Sequence, residues 1–151
     1  MAQGLREQLI GAWKLVSYVE EPVDGSAPFH PMGEEPQGII MYTPDGYMSA
    51  QLQRPDRTRF ADGDLRRATE DEYAEAGSSY IAYSGRYFVD ECEHRVSHEM
   101  AVSFFPNWLG QTQVRLVELD GERLQLSTCE PLRFGGVLKM ATLTWRRARP
   151  N

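Results

Sequence analysis

Apolar and polar residues alternate along most of this chain, and a period of two predicts β-strands. Short segments rich in Pro, Gly, Asn and Asp separate the alternating runs and are typical of turns. The pattern predicts eight strands, at residues 13–20, 38–43, 47–53, 80–90, 95–105, 111–119, 123–128 and 138–147. Consecutive strands joined by short turns form a meander, and eight of them close most economically into an up-and-down antiparallel β-barrel without free edges.

The segments between the strands carry further local signals. Pro44-Asp45-Gly46 lies between two β-prone runs and predicts a hairpin. Residues 21–37 contain repeated Pro and Gly, which predicts a long loop. Two short helices are expected. One spans residues 5–10 and ends before Gly11, and the other spans residues 69–76, where Thr69 and Glu72 have the spacing of a capping box.

Alternation also assigns side chains to the inside or the outside of the predicted barrel. In the strand at 80–90 the charged residues favour an interior set of Tyr83, Gly85, Tyr87 and Val89, and in the strand at 95–105 the interior set is Val96, His98, Met100, Val102 and Phe104. The loop at 91–94 has four residues, and a loop of that length would place Tyr87 opposite His98. His98 is therefore predicted to be a polar group in an apolar interior.

The strand at 111–119 is partly apolar on both faces, so periodicity alone does not choose between them. If Leu119 enters the core, Gln113 and Arg115 face inward with it. Burying an arginine without a partner costs several kcal/mol. This choice of face therefore predicts a carboxylate, a set of hydroxyl groups or a hydrated cavity around Arg115.

Composition narrows the class of protein. A chain of 151 residues has the size of one domain, so residues 1–151 are expected to form a single barrel. Acidic residues outnumber basic ones 22 to 16, for a net charge of -6, which argues against a nucleic-acid partner. The chain has neither an export signal at its start nor a run of about 18 apolar residues that would cross a membrane, so a cytoplasmic protein without a membrane partner is expected.

Metal and covalent chemistry have little support. Cys92 and Cys129 lie far apart in no metal-binding or redox spacing, so both are expected to be reduced thiols. His94 and His98 are four residues apart in a strand, a separation of about 13 Å that excludes one shared metal ion. We therefore expect no metal site, and we expect no cofactor.

The motif Gly11-Ala12-Trp13 at the start of the first strand resembles the Gly-x-Trp of lipocalins and their calycin relatives. The resemblance implies that Trp13 plugs the closed end of the barrel against an arginine near the end of the last strand, for which Arg147 is the candidate. The start of the chain also resembles fatty-acid-binding proteins, but a loop broken by prolines stands where that family has two helices.

More of the chain is similar to the lipocalin-like domain proteins of bacteria and fungi. The similarity covers nearly all 151 residues and rests on residues 11–17, 42–50, 82–85 and 105–110, with Gln113 and Arg115 beyond them. It implies a calycin-type barrel but no activity, because the group has no agreed catalytic motif.

Three functional hypotheses follow. The first is a binding module for a small, largely apolar or aromatic ligand that carries a carbonyl, phenol or carboxylate group. Its expected ligand-binding residues are Met48, Tyr83, Tyr87, His98, Met100, Trp108, Gln113 and Arg115. In the second, the protein is a cofactor-independent cyclase or isomerase of polyketide-like or aromatic intermediates, with catalytic residues His98 as acid and base, Tyr87 orienting it and Arg115 stabilising an anion. In the third, side chains fill the barrel and the protein is an interaction partner.

The sequence leaves the place of Trp108 open. Its side chain would line the mouth of the barrel, cover the barrel end or contact a second copy of the chain in a homodimer. We favour the mouth.

Overall fold

Ten antiparallel strands form one sheet in the computed structural model, which describes residues 3–151. The strands are β1 (Gly11–Pro22), β2 (Gln37–Tyr42), β3 (Tyr47–Gln53), β4 (Tyr80–Asp90), β5 (Arg95–Glu99), β6 (Val102–Ser103), β7 (Thr112–Asp120), β8 (Arg123–Thr128), β9 (Leu132–Phe134) and β10 (Val137–Arg147). The α-helices are α1 (Leu5–Leu9) and α2 (Glu70–Ser78), and 3₁₀ turns occur at Leu65–Arg67 and Pro106–Trp108.

Eight of these strands close into a barrel, as the sequence predicts. Each pairs with its neighbour in the order β1-β2-β3-β4-β5-β7-β8-β10, and β1 pairs with β10 to complete the circle. Two short strands lie outside this circle: β6 falls within the strand predicted at 95–105, and β9 is an addition that the sequence pattern does not indicate. β6 pairs with β4, and β9 forms a hairpin with β10 across Gly135 and Gly136, which both have positive φ. Within residues 3–151, no helix is long and apolar enough to span a bilayer.

The prediction of one continuous strand at 95–105 is wrong. β5 ends at Glu99, and the chain kinks at Met100 and Ala101 before β6 begins. The kink depends on Gly85, because the Glu99 carbonyl oxygen lies only 1.8 Å from the point where a Cβ at residue 85 would be. The Ala101 N–H then donates to the Ser84 carbonyl at 3.0 Å.

The kink changes which side chains face inward. Val96, His98 and Met100 are buried, as predicted. The prediction that Val102 and Phe104 face the interior is wrong, since they are 61% and 51% exposed. The reason is that the two residues after Glu99 leave the regular ladder, so the alternation of faces does not continue through them.

Both predicted helices form. The Thr69 side chain accepts a hydrogen bond from the Glu72 N–H, and the Glu72 side chain accepts one from the Thr69 N–H, so the capping box is complete. α2 continues two residues beyond the predicted end at residue 76, and none of its side chains is buried. It therefore adds little to the core.

A β-bulge in β1 sets the phase of that strand. Leu15 pairs with Trp145 and Ser17 pairs with the adjacent Thr144, so Val16 is an extra residue in the ladder. Leu15 faces inward before the bulge, and Tyr18 and Glu20 face inward after it. If the same residues formed a regular ladder without a bulge, alternation from Leu15 would turn Tyr18 and Glu20 to the outside.

One end of the barrel is covered by α1. Its Leu5 N–H donates to Glu91 in the turn after β4, and the Arg6 side chain donates to the Pro44 carbonyl in the turn after β2. Under the helix, Trp13 is fully buried and its indole N–H donates to the Leu9 carbonyl at 2.9 Å.

Arg147 packs on the same tryptophan. Its guanidinium carbon lies 4.1 Å from the centre of the Trp13 ring, within the range of a cation–π interaction. The same group donates to the carbonyls of Gln8 at 2.6 Å and Ile10 at 3.2 Å, where α1 ends. The contact that the lipocalin resemblance implied is therefore present in the structure.

Candidate functional site

His98 lies at the centre of the candidate site. Its side chain projects from β5 into the barrel and is 0% exposed. Its Nε2 atom is 2.8 Å from the hydroxyl of Tyr42, which projects from β2 and is also buried. Its Nδ1 atom has no hydrogen-bond partner among the described residues. Because a neutral imidazole has one N–H and one acceptor nitrogen, one hydrogen-bonding position stays unfilled in either tautomer.

Burial sets the protonation state of His98. Removal from water lowers the pKa of this imidazole to about 3, and the positive charge of Arg115 acts in the same direction. His98 is therefore neutral at physiological pH, and it can both donate and accept hydrogen bonds.

The predicted pairing of β4 with β5 is confirmed, since Tyr87 lies directly opposite His98. The Tyr87 hydroxyl, however, donates to the Thr43 carbonyl at 2.7 Å. The hydroxyl that contacts His98 belongs to Tyr42, whose ring packs edge to face on Tyr87 at 4.9 Å. Sequence reasoning missed Tyr42, although the alternation of β2 places Ile40 and Tyr42 on one face and was sufficient to find it.

Gln113 and Arg115 face inward from β7. They lie on the same face of the strand as Leu119, which packs against the core. Gln113 pairs with His98 and Arg115 pairs with Val96 in the neighbouring strand. Both side chains are only partly buried. The Arg115 guanidinium donates to the Gln113 side-chain oxygen at 2.7 Å and to the Val114 carbonyl at 3.0 Å.

Arg115 has no acidic partner. In the part of the chain that the structure describes, the four ion pairs within 4.0 Å all involve other basic residues. The sequence left three surroundings open for this side chain: a carboxylate, a set of hydroxyl groups or a hydrated cavity. No carboxylate of residues 3–151 pairs with Arg115, and the side-chain amide of Gln113 and the backbone carbonyl of Val114 accept its hydrogen bonds instead.

Arg115 acts on most of the polar groups in the interior. Its positive charge lowers the pKa values of the phenols of Tyr18, Tyr42 and Tyr83, while burial, the larger effect, raises all three. These phenols consequently stay protonated. One guanidinium group that affects three phenols and an imidazole marks a single polar centre.

Aromatic rings extend from this centre to the 3₁₀ turn after β6. The Tyr83 ring lies 6.0 Å from the His98 ring and meets Trp108 edge to face at 5.9 Å. Phe105 also packs edge to face on Trp108 at 5.4 Å. Tyr83 and Trp108 are partly exposed. The remaining predicted ligand contacts, Met48 and Met100, are each 2% exposed.

A second polar group occurs in the interior and was not found from the sequence. The Tyr18 hydroxyl donates to Glu20 at 2.9 Å, and the Lys139 ammonium lies 3.4 Å from the other Glu20 oxygen. Glu20 and Lys139 are 4% and 9% exposed. The bulge at Val16 explains the omission, because unbroken alternation from Leu15 would place Tyr18 and Glu20 outside, and the bulge turns both of them inward.

The described residues do not form a metal site, and the two thiols lie outside the candidate site. Among residues 3–151, no three His, Cys, Asp or Glu side chains are close enough together to hold a metal ion. Cys92 and Cys129 are free and exposed.

The barrel and its arrangement of Trp13 and Arg147 agree with a comparison to known families. The family described as the lipocalin-like domain matches residues 10–148. This chain belongs to the lipocalin-like domain family. The match includes all ten strands of the lipocalin-like barrel, together with every residue of the candidate site.

A curated relative comes from a fungus. This lipocalin-like chain is 40% identical over 106 residues to the 4'-hydroxy-3'-methoxypropiophenone carrier protein ppsC of Aspergillus oryzae. The aligned region covers 66% of this chain and 96% of the relative.

Proposed function

We propose that this protein binds a small, largely apolar aromatic molecule inside its barrel and carries it without changing it chemically. The observation that carries this proposal is the convergence of two incompletely paired groups on one aromatic interior. These groups are the Nδ1 atom of His98, without a partner among the described residues, and the Arg115 guanidinium, without an acidic partner there. A buried polar atom without a partner costs about 1–3 kcal/mol, so a ligand that supplies the partner gains affinity.

The chemistry of these groups favours an oxygen-bearing ligand. A guanidinium group donates to a carbonyl, phenol or carboxylate oxygen, and a neutral imidazole either donates to such an oxygen or accepts from a hydroxyl. The rings of Tyr42, Tyr83 and Trp108 supply apolar surfaces against which an aromatic ring packs. The expected ligand is therefore an aromatic compound with at least one oxygen substituent.

The fungal relative supports the same class of ligand. The molecule in its name, 4'-hydroxy-3'-methoxypropiophenone, carries a phenol and a ketone on one aromatic ring. Those are two of the three groups that the sequence of this chain suggested. We therefore use this molecule as the first probe.

The properties of His98 support a carrier rather than a cyclase or isomerase. A general base works best when its pKa is near the working pH. Burial lowers the pKa of His98 to about 3, so its imidazole is a weak base in the empty protein. Its Nε2 atom is also occupied by Tyr42.

Binding is tested by titrating 4'-hydroxy-3'-methoxypropiophenone into the protein while tryptophan fluorescence and heat release are measured. We expect saturable binding at one site per chain. His98→Leu and Arg115→Met should each weaken it about tenfold or more, since each removes a hydrogen-bonding partner of the ligand. The bound compound is then extracted and analysed by chromatography, and we expect to recover it unchanged.

A variant on the outer surface supplies the control. A groove of about 500 Å³ lies outside β2 and β3, with Ile39, Met41 and Tyr80 among its lining residues. Met41→Gln should leave binding unchanged if the ligand lies inside the barrel. Binding that is lost in Met41→Gln but kept in the two interior variants would refute the proposed site, and conversion of the compound would refute the carrier function.

A further inference from the structure

Building on the proposed function, we infer that the ligand is held as an anion, with its negatively charged oxygen against Arg115. The ligand class is thereby narrowed to aromatic molecules that carry an ionisable oxygen, either a phenol or a carboxylic acid. The balance of charges within the barrel carries the argument.

Among residues 3–151, the charged side chains that are buried or face the barrel interior are Glu20, Lys139 and the partly buried Arg115. Glu20 is already engaged by Lys139 at 3.4 Å and by the Tyr18 hydroxyl at 2.9 Å. These two charged residues balance each other. Arg115 remains, and no carboxylate of residues 3–151 lies within 4.0 Å of it.

The other titratable groups around Arg115 do not supply the missing negative charge. The elements that face it contribute Tyr18 from β1, Tyr42 from β2, Tyr83 from β4 and His98 from β5. Burial raises the pKa of each phenol above its ordinary value, and it lowers the pKa of the imidazole. All four groups are neutral at physiological pH, so none of them supplies a negative charge to Arg115.

The hydrogen bonds of Arg115 leave donors free for a negatively charged ligand oxygen. A guanidinium has five N–H donors. Two of its nitrogens donate to Gln113 and Val114, and the amide of Gln113 holds the side chain on the inner face of β7. The remaining N–H groups form the planar donor set that matches a carboxylate or a phenolate oxygen.

For a phenolic ligand, binding involves one proton. The phenol O–H bond breaks, the oxygen keeps the electron pair and binds Arg115, and the proton passes to the buffer. A carboxylic acid is already ionised near neutral pH and releases no proton. Proton release therefore distinguishes the two sources of the anion.

The test uses three probes of nearly equal size and shape on the wild-type protein. The first is 4'-hydroxy-3'-methoxypropiophenone, which ionises. The second is its methyl ether, 3',4'-dimethoxypropiophenone, which cannot ionise. The third is 3,4-dimethoxybenzoate, which is charged throughout. The titrations are performed about one pH unit below the pKa of the free phenol, so that the unbound first probe is mostly neutral.

We expect the bound first probe to show the long-wavelength absorption of a phenolate and to release close to one proton per site in weak buffer. The methyl ether should bind about tenfold to hundredfold more weakly, because it lacks the charge-assisted hydrogen bond. The benzoate should bind without proton release. Arg115→Met should abolish the phenolate absorption, and Arg115→Lys should partly restore it by keeping the charge. Arg95→Met, which removes an exposed arginine from β5, should behave like wild type.

The outcomes separate this inference from the proposed function. Equal affinity for the phenol and its methyl ether, without a phenolate absorption, overturns the anion inference and leaves the carrier function standing. Absence of binding for all three probes overturns both. The comparison of probes needs only the wild-type protein, so it holds even if Arg115→Met fails to fold.

Discussion

Replacing Arg147 by methionine should destabilise the barrel without changing what it binds. The substitution keeps much of the aliphatic length of the side chain and removes the guanidinium. It thereby removes the hydrogen bonds to the Gln8 and Ile10 carbonyls and the cation–π contact with Trp13. The carbonyls at the end of α1 lose their partner, and the helix loses its link to β10.

The magnitude follows from those three contacts. Hydrogen bonds from a charged donor contribute about 1.5–3 kcal/mol each, but the Arg147 side chain is 28% exposed, so water replaces part of the loss and we count about 1 kcal/mol for each. The cation–π contact contributes about 1 kcal/mol. The free energy of unfolding should fall by about 3 kcal/mol. For a domain of this size that lowers the melting temperature by about 6–12 °C.

The assay is urea unfolding followed by tryptophan fluorescence, in which Trp13 reports on the altered end of the barrel. With a urea dependence of about 2 kcal/mol per M, the midpoint should fall by about 1.5 M. Arg146→Met is the matched control. Arg146 is exposed and lies opposite Lys14 and Arg123, so its removal relieves like-charge repulsion and should change stability by less than about 0.5 kcal/mol.

Two results would refute this reasoning. Equal urea midpoints for Arg147→Met and wild type would show that the contacts beneath α1 contribute nothing. Weaker or altered ligand binding with an unchanged midpoint would mean that Arg147 belongs to the binding site rather than to the closed end.

Three further predictions concern stability. Gly85→Ala should lower the free energy of unfolding in urea by at least about 3 kcal/mol, because the new Cβ meets the Glu99 carbonyl oxygen. Gly63→Ala is the control and should leave stability unchanged, because a Cβ there has nothing within 4 Å. Equal losses in the two variants would refute the explanation of the kink. The pKa of His98 falls on folding from 6.5 to about 3, so the unfolded chain binds the proton more tightly and stability declines as pH drops through 6.5. Between pH 7 and pH 5 the free energy of unfolding of wild type should fall by about 2 kcal/mol more than that of His98→Gln. Unfolding titrations at each pH measure both values, and an equal pH dependence in the two proteins would contradict this. Lys139→Met leaves Glu20 buried without its cation and should lower the free energy of unfolding by about 3 kcal/mol. Adding Glu20→Gln to Lys139→Met should restore most of that stability in thermal melts. If the double variant recovers nothing, the loss comes from packing rather than from the charge of Glu20.

Sequence alternation found the features that depend on neighbouring residues. It predicted the eight barrel strands, the pairing of Tyr87 with His98 and the inward direction of His98. For β7 it predicted that Gln113 and Arg115 face inward if Leu119 enters the core. These follow from a period of two and a four-residue loop, both local properties. The direction of a side chain along a regular strand is therefore determined by the order of residues within that strand.

The features that sequence alternation missed depend on contacts between distant parts of the chain. The kink after Glu99 exists because Gly85, in another strand, lets a backbone carbonyl approach closely. The inward direction of Glu20 depends on the bulge at Val16, and its pairing with Lys139 joins the first and last barrel strands. No periodicity within a single strand records such contacts.

The extra residue at Val16 has a consequence for how the length of this strand can vary. Leu15 and Tyr18 both face inward although two residues lie between them, so removing Val16 would leave a regular strand in which Leu15, Tyr18 and Glu20 keep their inward faces. The first strand can therefore lose one residue at this point without turning Glu20 away from Lys139.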